Sequence, residues 1–343
     1  MRNLISIALV FLIPYLSRAE GWQTEGEIDV LTKVGSKPTS ERGQVSFSVP
    51  SLKLATEFQL DSNASVYFQG QLAESRGKDT KKQQFDLVRA FYEWGSDDDT
   101  WLVRYGLIKS TYLDTNENLL DYDLVPEFKA FANRYNYLPD ADIGFEIHYV
   151  VSSYLDFSLG VFNGEENTQK EAGPEKDIYL TVVYDDSSFH FSALSIRGAY
   201  DEYEKPFNVK ERDLARIVWK ASYVDIGFEA LKSKELSMAA VAYKRGESWD
   251  GSLYPETVVK AQGFSGWLLL KVDSELQFLL RKDYLDPYTE VKEDEIESEN
   301  VALILKDNLR SLLIGYTKTD YKERHSTQSP EREYAFVGLR QIF

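Results

Sequence analysis

A two-residue alternation of apolar and polar side chains runs through most of this chain and constrains its fold more than any other feature. In the stretch from Val88 to Trp94, for example, Ala90 and Tyr92 fall on one face of an extended segment, and Arg89 and Glu93 fall on the other. This period is typical of β-strands, and Tyr, Phe and Trp, which strands favour, make up 14% of the chain. Sixteen strands are predicted, at residues 24–34, 44–60, 65–74, 83–94, 100–109, 142–151, 154–163, 175–184, 189–200, 212–221, 224–232, 263–272, 275–286, 297–306, 309–321 and 333–343.

The connections between these strands alternate between short and long. Short turns rich in Asp, Ser and Asn fall at residues 61–63, 95–99, 152–153, 185–188, 222–223, 273–274 and 307–308. Long polar loops fall at residues 35–43, 75–82, 110–141, 164–174, 201–211, 233–262, 287–296 and 322–332. This rhythm predicts an all-β fold, a transmembrane antiparallel β-barrel of a Gram-negative outer membrane, with short turns and both termini in the periplasm and long loops outside the cell. A soluble β-sandwich is the weaker alternative, because it has no reason to alternate turns and loops in this way.

The facing of the strands agrees with a membrane barrel. The apolar sets on single faces are Val88, Ala90, Tyr92 and Trp94; Trp101, Val103, Tyr105 and Leu107; Ile143, Phe145, Ile147 and Tyr149; Leu155, Phe157, Leu159 and Val161; Ala215, Ile217 and Trp219; and Leu276, Phe278 and Leu280. An Arg or Lys facing lipid at mid-depth costs about 2 to 4 kcal/mol, so the charged residues between these positions are expected to face inward. We therefore expect outer-membrane lipid around the barrel.

The first nineteen residues have the pattern of a secretory signal. A positive Arg2 precedes an apolar stretch from Leu4 to Leu16, and Ser17 and Ala19 supply the small residues of a cleavage site. An anchoring helix is the alternative, but the apolar stretch is shorter than the ~20 residues that a span needs. Residues 20–343 are then expected to form a single barrel domain.

The third loop, residues 110–141, is predicted to fold into the barrel. About sixteen strands enclose a lumen wide enough for an aqueous channel. This loop is the longest and carries aromatic residues such as Tyr112, Phe128 and Phe131, which a solvated loop would not need. A plain surface loop is the alternative interpretation. The charged residues that we predict at the constriction are Asp114, Glu117, Asp121, Asp123, Glu127, Lys129 and Arg134, and Asp140 adds a further acid.

The wall has a different charge balance from this loop. The basic side chains predicted to line the pore wall are Lys53, Arg89, Arg104, Arg216, Lys220, Arg281 and Arg340, and the acidic ones are Glu57, Glu93, Glu146, Asp156 and Glu229. A slightly basic wall facing an acidic loop predicts a transverse electric field across the constriction. The formal net charge of −17 favours cations, although much of it lies in outer loops.

The residues that could support other chemistry are few. The chain has no cysteine, which excludes disulfides and thiolate metal sites. His148, His190 and His325 have no catalytic arrangement around them, and His148 is predicted to be an inward-facing wall residue. Asp97 to Asp99 could be interpreted as a calcium site, but the spacing fits a solvated hairpin turn better. We predict no enzyme activity, no cofactor, no metal and no nucleic-acid partner for this acidic chain.

Several short motifs resemble those of phosphate-selective and related outer-membrane porins. They are Phe85 to Trp94, Val103 to Lys109, Leu159 to Glu165, Gly263 to Trp267, Leu280 to Pro287, and the closing segment Val337 to Phe343. The resemblance implies a sixteen-stranded channel that is often a homotrimer, with a terminal aromatic residue that the barrel-assembly machinery reads. Two features depart from the family: residues 110–141 carry no dense ladder of Arg or Lys, and the segment from Lys109 to Tyr112 lacks the usual proline.

Three functions follow from this sequence. The first is a porin that passes small hydrophilic solutes and ions by passive diffusion. The second is a channel selective for phosphate or another oxyanion, which requires basic residues at the narrowest point. The third is a plugged barrel that acts as a surface adhesin or an outer-membrane enzyme.

Overall fold

The structure, a computed structural model, describes residues 22–36, 44–76, 81–117, 125–164, 176–198, 210–236, 258–289, 295–321 and 332–343. These residues form sixteen strands and a short helical segment. The strands are β1 Trp22–Ser36, β2 Gln44–Gln59, β3 Ala64–Arg76, β4 Lys81–Gly95, β5 Trp101–Ile108, β6 Asp142–Ser152, β7 Leu155–Phe162, β8 Asp177–Asp185, β9 Phe189–Gly198, β10 Lys210–Lys220, β11 Val224–Leu236, β12 Val258–Lys271, β13 Leu276–Asp286, β14 Ile296–Lys306, β15 Arg310–Tyr321 and β16 Arg332–Ile342. Between β5 and β6 lie helix α1 Thr111–Glu117, a 3-10 turn Pro126–Phe128 and helix α2 Phe131–Arg134.

Each strand pairs antiparallel with its neighbours in the sequence, and β1 pairs with β16, so that the sheet closes into a barrel. Asp29 lies opposite Arg340 in this seam. The amides of Gly26 and Phe343 each donate to the carbonyl oxygen of the other at 2.9 Å, and the Phe343 ring covers Gly26. Closure pairs both edges of the sheet and leaves none exposed.

The sixteen predicted strands are confirmed, and their bounds differ from the observed ones by at most five residues. The largest difference is in β12, which begins at Val258 rather than Gly263. Turn residues such as Asp186 and Asp273 accept hydrogen bonds from backbone amides two and three residues on, which fixes these turns. Most residues of the long loops other than the third lie outside the described ranges.

The predicted outward faces are apolar and either exposed or half-buried, with two exceptions. Val88 is an extra residue in a β-bulge, because Arg89 pairs with Gln69 whereas Leu87 pairs with Gly70. The bulge reverses the facing of β4, so that Leu87 and Phe85 are exposed before it. Leu107 is the second exception, because it is buried.

The third loop lies inside the barrel, and the prediction of an inward-folded loop is confirmed for residues 110–117 and 125–141. Tyr112, Leu113 and Phe131 pack in one apolar cluster with the inward-facing wall residues Leu214 and Leu231. Val125 and Phe128 pack in a second cluster with wall residues such as Phe336, whose ring meets that of Phe128 edge-on at 5.8 Å. The alternative of a plain surface loop is therefore wrong. No helix among the described residues is long and apolar enough to cross a bilayer.

Candidate functional site

Buried ion pairs hold α2 of the third loop against the wall. The Glu229 carboxylate on β11 accepts the backbone N–H of Phe131 at 2.9 Å and pairs with Arg216 of β10 at 2.7 Å. The Arg216 guanidinium also lies 5.4 Å from the centre of the Tyr112 ring on α1. One wall pair therefore contacts both helices of the loop.

A second buried group holds the same side of the loop. Arg134 of α2 contacts Asp283 and donates to the Ser298 hydroxyl at 2.7 Å. Arg281 pairs with Asp283 at 2.8 Å and donates to the backbone oxygen of Lys129 at 2.6 Å. Strands β13 and β14 therefore bind both side-chain and backbone atoms of the loop.

The end of the loop is fastened in a similar way. Arg212 donates to the backbone oxygen of Tyr137 at 2.5 Å and pairs with Glu235 at 2.6 Å. Asp140 accepts from Asn133 at 2.9 Å and pairs with Lys129 at 3.3 Å. Enclosure within the barrel would raise the pKa of Asp140, although its side chain is 54% exposed, but the nearby Lys129 and the Asn133 hydrogen bond hold that pKa below its ordinary value.

The loop also touches the opposite side of the barrel through one carboxylate. Asp114 of α1 lies 3.4 Å from Arg89 on β4 and 3.1 Å from Arg104 on β5. Arg104 pairs in addition with Glu93 at 2.7 Å. The predicted acidic loop and basic wall are thus in direct contact here rather than separated by a gap.

The start of the loop rests on a buried polar cluster. His148 lies 3.1 Å from Glu146 and 3.3 Å from the Thr111 hydroxyl, and Ser158 donates to Glu146 at 3.0 Å. His148 is inward-facing, as predicted, but it is enclosed beneath the loop. This cluster supports the first residues of α1.

Solved structures share this architecture. The anion-selective porin from Comamonas acidovorans aligns with 94% of this chain and 99% of its own length, at 13% identity and a TM-score of 0.65. OmpF of Salmonella typhi, in complex with daunomycin, covers 94% of this chain and 97% of its own length, at 12% identity and a TM-score of 0.68. The chain has the fold of an outer-membrane porin. OmpT of Vibrio cholerae in its trimer form matches this porin fold over 94% of the chain and 99% of OmpT, at 10% identity and a TM-score of 0.57.

Sequence comparison adds no narrower family. No protein-family model matches the chain, and no curated protein matches its sequence. The phosphate-selective porins that the short motifs resemble are therefore not distinguished from other proteins with the porin fold.

Within this porin fold, the predicted wall residues fall into two groups. The side chains of Lys53, Arg89, Glu93 and Arg104 on β2, β4 and β5 are 18 to 28% exposed. Those of Glu146, Arg216, Arg281 and Arg340 are 0 to 3% exposed and engaged in ion pairs. Lys220 lies apart from both groups, at the turn end of β10, where it pairs with Asp185 at 2.5 Å.

The predicted loop residues are similarly divided. Asp114 and Lys129 are 30% and 32% exposed, whereas Arg134 is 8% exposed. The backbone oxygen of Glu127 accepts from Arg134 at 3.1 Å. The Glu117 side chain, Asp121 and Asp123 lie outside the described residues.

Several residues that shape the site were absent from the predicted set. Asp283 and Arg212 are buried ends of loop-holding pairs, and Tyr67 and Phe91 stack on the inner face of β3 and β4 at 5.0 Å. A signal for Asp283 was present, because Arg281 and Asp283 are two residues apart on one strand and must share a face. The described residues contain no cluster of three or more His, Asp or Glu that could hold a metal ion.

Proposed function

We propose that this protein is an outer-membrane channel through which small hydrophilic solutes and ions diffuse passively. The observation that carries this proposal is a closed sixteen-stranded barrel whose outward face is apolar and whose inward face is lined with charged residues. A charged inner face is stable only against water or opposite charges, and a barrel of this strand number is wide enough for a water-filled lumen.

The solute path that we propose runs beside β1 to β5. The loop is fastened to β10, β11, β13 and β14 by buried pairs, whereas Arg89, Arg104 and charged residues of β1 and β2 such as Lys53 keep partial exposure. Lys53, Arg89, Glu93, Arg104 and Asp114 then line the path. In this proposal Arg216, Arg281 and Glu146 hold or support the loop instead of lining the pore.

The biogenesis that we propose follows the barrel geometry. Residues 1–19 direct export, the barrel-assembly machinery inserts residues 20–343, and the short turns and both termini lie in the periplasm. Assembly into a homotrimer is supported by the trimer form of one protein with this fold. We propose no enzyme activity for the barrel.

Planar lipid bilayers test the channel directly. Purified, folded protein is expected to give stepwise increases in current, one step for each inserted channel or trimer. A folded barrel, identified by its faster migration in an unheated gel, that gives no steps would refute the proposal and would favour a plugged barrel with adhesin or enzyme function.

A channel selective for phosphate or another oxyanion is the second candidate. The observation that favours it is the convergence of Arg89 and Arg104 on the same side of the loop, because guanidinium groups bind phosphate bidentately. Added phosphate should then reduce the chloride current. No reduction at millimolar phosphate would exclude this candidate while leaving the diffusion channel intact.

A further inference from the structure

The side of the barrel that the loop leaves least covered carries more acidic than basic side chains. On the inner faces of β1 to β5 and on α1, the described charged residues that keep partial exposure comprise six acids and four bases, a net charge of −2. They are Glu25, Glu27, Glu57, Asp86, Glu93 and Asp114, and Lys33, Lys53, Arg89 and Arg104. This balance is opposite to the slightly basic wall predicted from the sequence.

Three of the four basic residues of this set contact an acidic neighbour that reduces their effect on a passing ion, and the fourth, Lys33, donates to the Tyr334 hydroxyl at 2.8 Å. Lys53 pairs with Glu27 at 2.9 Å, and Arg89 lies 3.4 Å from Asp114. Arg104 contacts both Glu93 and Asp114. Opposite charges at these distances nearly cancel a few ångströms away, so these pairs contribute little net field to the path.

Glu25 and Glu57 differ from these pairs. Glu57 lies opposite Gln23, two residues before Glu25 on β1, so the two glutamates are diagonal neighbours on the inner face. Neither has an ion pair with a basic residue within the part of the chain that the structure describes. The net negative charge of this side therefore resides mainly on these two carboxylates.

An aromatic surface adjoins them. Glu57 lies opposite Tyr67 on β3, and the Tyr67 ring stacks on Phe91 at 5.0 Å. The faces of aromatic rings attract cations and do not attract anions. The carboxylates and the rings therefore favour the same sign of solute charge.

We infer that the channel conducts cations in preference to anions, and that Glu25 and Glu57 set this preference. The inference rests on the proposed channel function and names the class of solute that the channel favours. At about 7 Å in a water-filled path, a unit charge changes the local concentration of a monovalent ion by roughly two- to threefold before salt screens it. Two uncompensated carboxylates are enough to produce a measurable selectivity.

Reversal potentials in a potassium chloride gradient across a planar bilayer test the inference. The unmodified protein should show a higher permeability for potassium than for chloride. The double variant Glu25→Gln/Glu57→Gln should lower the potassium-to-chloride permeability ratio by at least about twofold, with little change in conductance step size.

The matched control is Glu297→Gln/Glu299→Gln, which removes the same charge from the outer face of β14, where both residues lie near Lys282. This control should leave the permeability ratio unchanged. Anion preference in the unmodified protein, or equal ratios in the two double variants, would overturn the inference while the conductance steps still supported a channel. Absence of any steps from folded protein would instead refute the proposed function, and the inference with it.

Discussion

Replacing Glu229 by glutamine should destabilise the barrel and loosen α2 of the third loop. The side chains of Glu229 and Arg216 are 2% and 3% exposed and lie 2.7 Å apart. Glutamine keeps an oxygen for the Phe131 amide, but it leaves the Arg216 guanidinium buried without its counter-charge. Breaking one side of a buried pair costs about 3 to 5 kcal/mol, so Glu229→Gln should lower the free energy of unfolding by that amount.

Urea unfolding in lipid vesicles, followed by tryptophan fluorescence, measures this loss. The control is Asp213→Asn, which removes the partner of Arg197 in an exposed pair on the outer face, where the side chains are about half exposed and 2.9 Å apart. Exposed pairs contribute about 0 to 1 kcal/mol, so the control should change little.

A double-mutant cycle separates the ion pair from other effects of the change. Arg216→Met removes the charge that Glu229→Gln strands, so the double variant should recover at least about 2 kcal/mol relative to the sum of the two single losses. Additive losses, or a Glu229→Gln loss no larger than that of Asp213→Asn, would refute the argument that this pair is buried and holds the loop. The conductance of Glu229→Gln channels should also rise, because a neutral amide oxygen holds the Phe131 N–H of the loop less strongly than the carboxylate does.

Three further predictions test separate parts of the structure. Gly106→Ala should lower the free energy of unfolding in urea by about 1 to 3 kcal/mol, because Gly106 has a φ of +133° and a Cβ there would overlap the Ala90 carbonyl oxygen. The control Gly266→Ala, which has open space around it, should change that free energy by no more than about 0.5 kcal/mol. The backbone amide of Ser188 lowers the pKa of Asp186 to about 2. The charged carboxylate therefore stabilises the fold at pH values above the ordinary pKa of Asp, and this stabilisation is lost as the pH falls towards about 2. Asp186→Asn should remove that part of the acid sensitivity in unfolding curves recorded across this range. Asp114→Asn should raise the chloride share of the current in reversal-potential measurements, because it removes an acid from the proposed path and leaves both arginines there with less compensation.

The strands could be predicted because the pattern that identifies each one lies within its own residues. Alternation identifies a strand locally, and a tight turn then fixes the pairing of the two strands that it joins. The predicted turn at residues 222–223 places Arg216 opposite Glu229 and Lys220 opposite Asp225, and the observed register of β10 and β11 is the same. The bulge at Val88 was missed because a single extra residue leaves both halves of the strand alternating.

The path of the third loop could not be predicted in the same way. Aromatic content indicated that the loop is buried, but no local pattern tells which strands it packs on. Phe131 meets Glu229 ninety-eight positions later in the chain, and Arg134 meets Asp283 one hundred and forty-nine positions later. Such contacts depend on the closed barrel as a whole, so the sequence could not separate wall residues that hold the loop from wall residues that stay accessible.

Loop placement, rather than wall composition, then determines the charge that a solute meets. The predicted wall set is basic largely because it includes Arg216, Arg281 and Arg340, and the structure pairs each of these with a buried carboxylate. Away from the turn ends, the described charged wall residues that stay partly exposed lie on β1 to β5, where acids are in excess. If the same loop packed against β1 to β5 instead, Glu25 and Glu57 would be covered, and the arginines of β10 and β13 would face the lumen without loop contacts. The excess of acids on β1 to β5 would then be hidden from a passing solute, so the buried pairs that fasten the loop also determine which wall charges the solute meets.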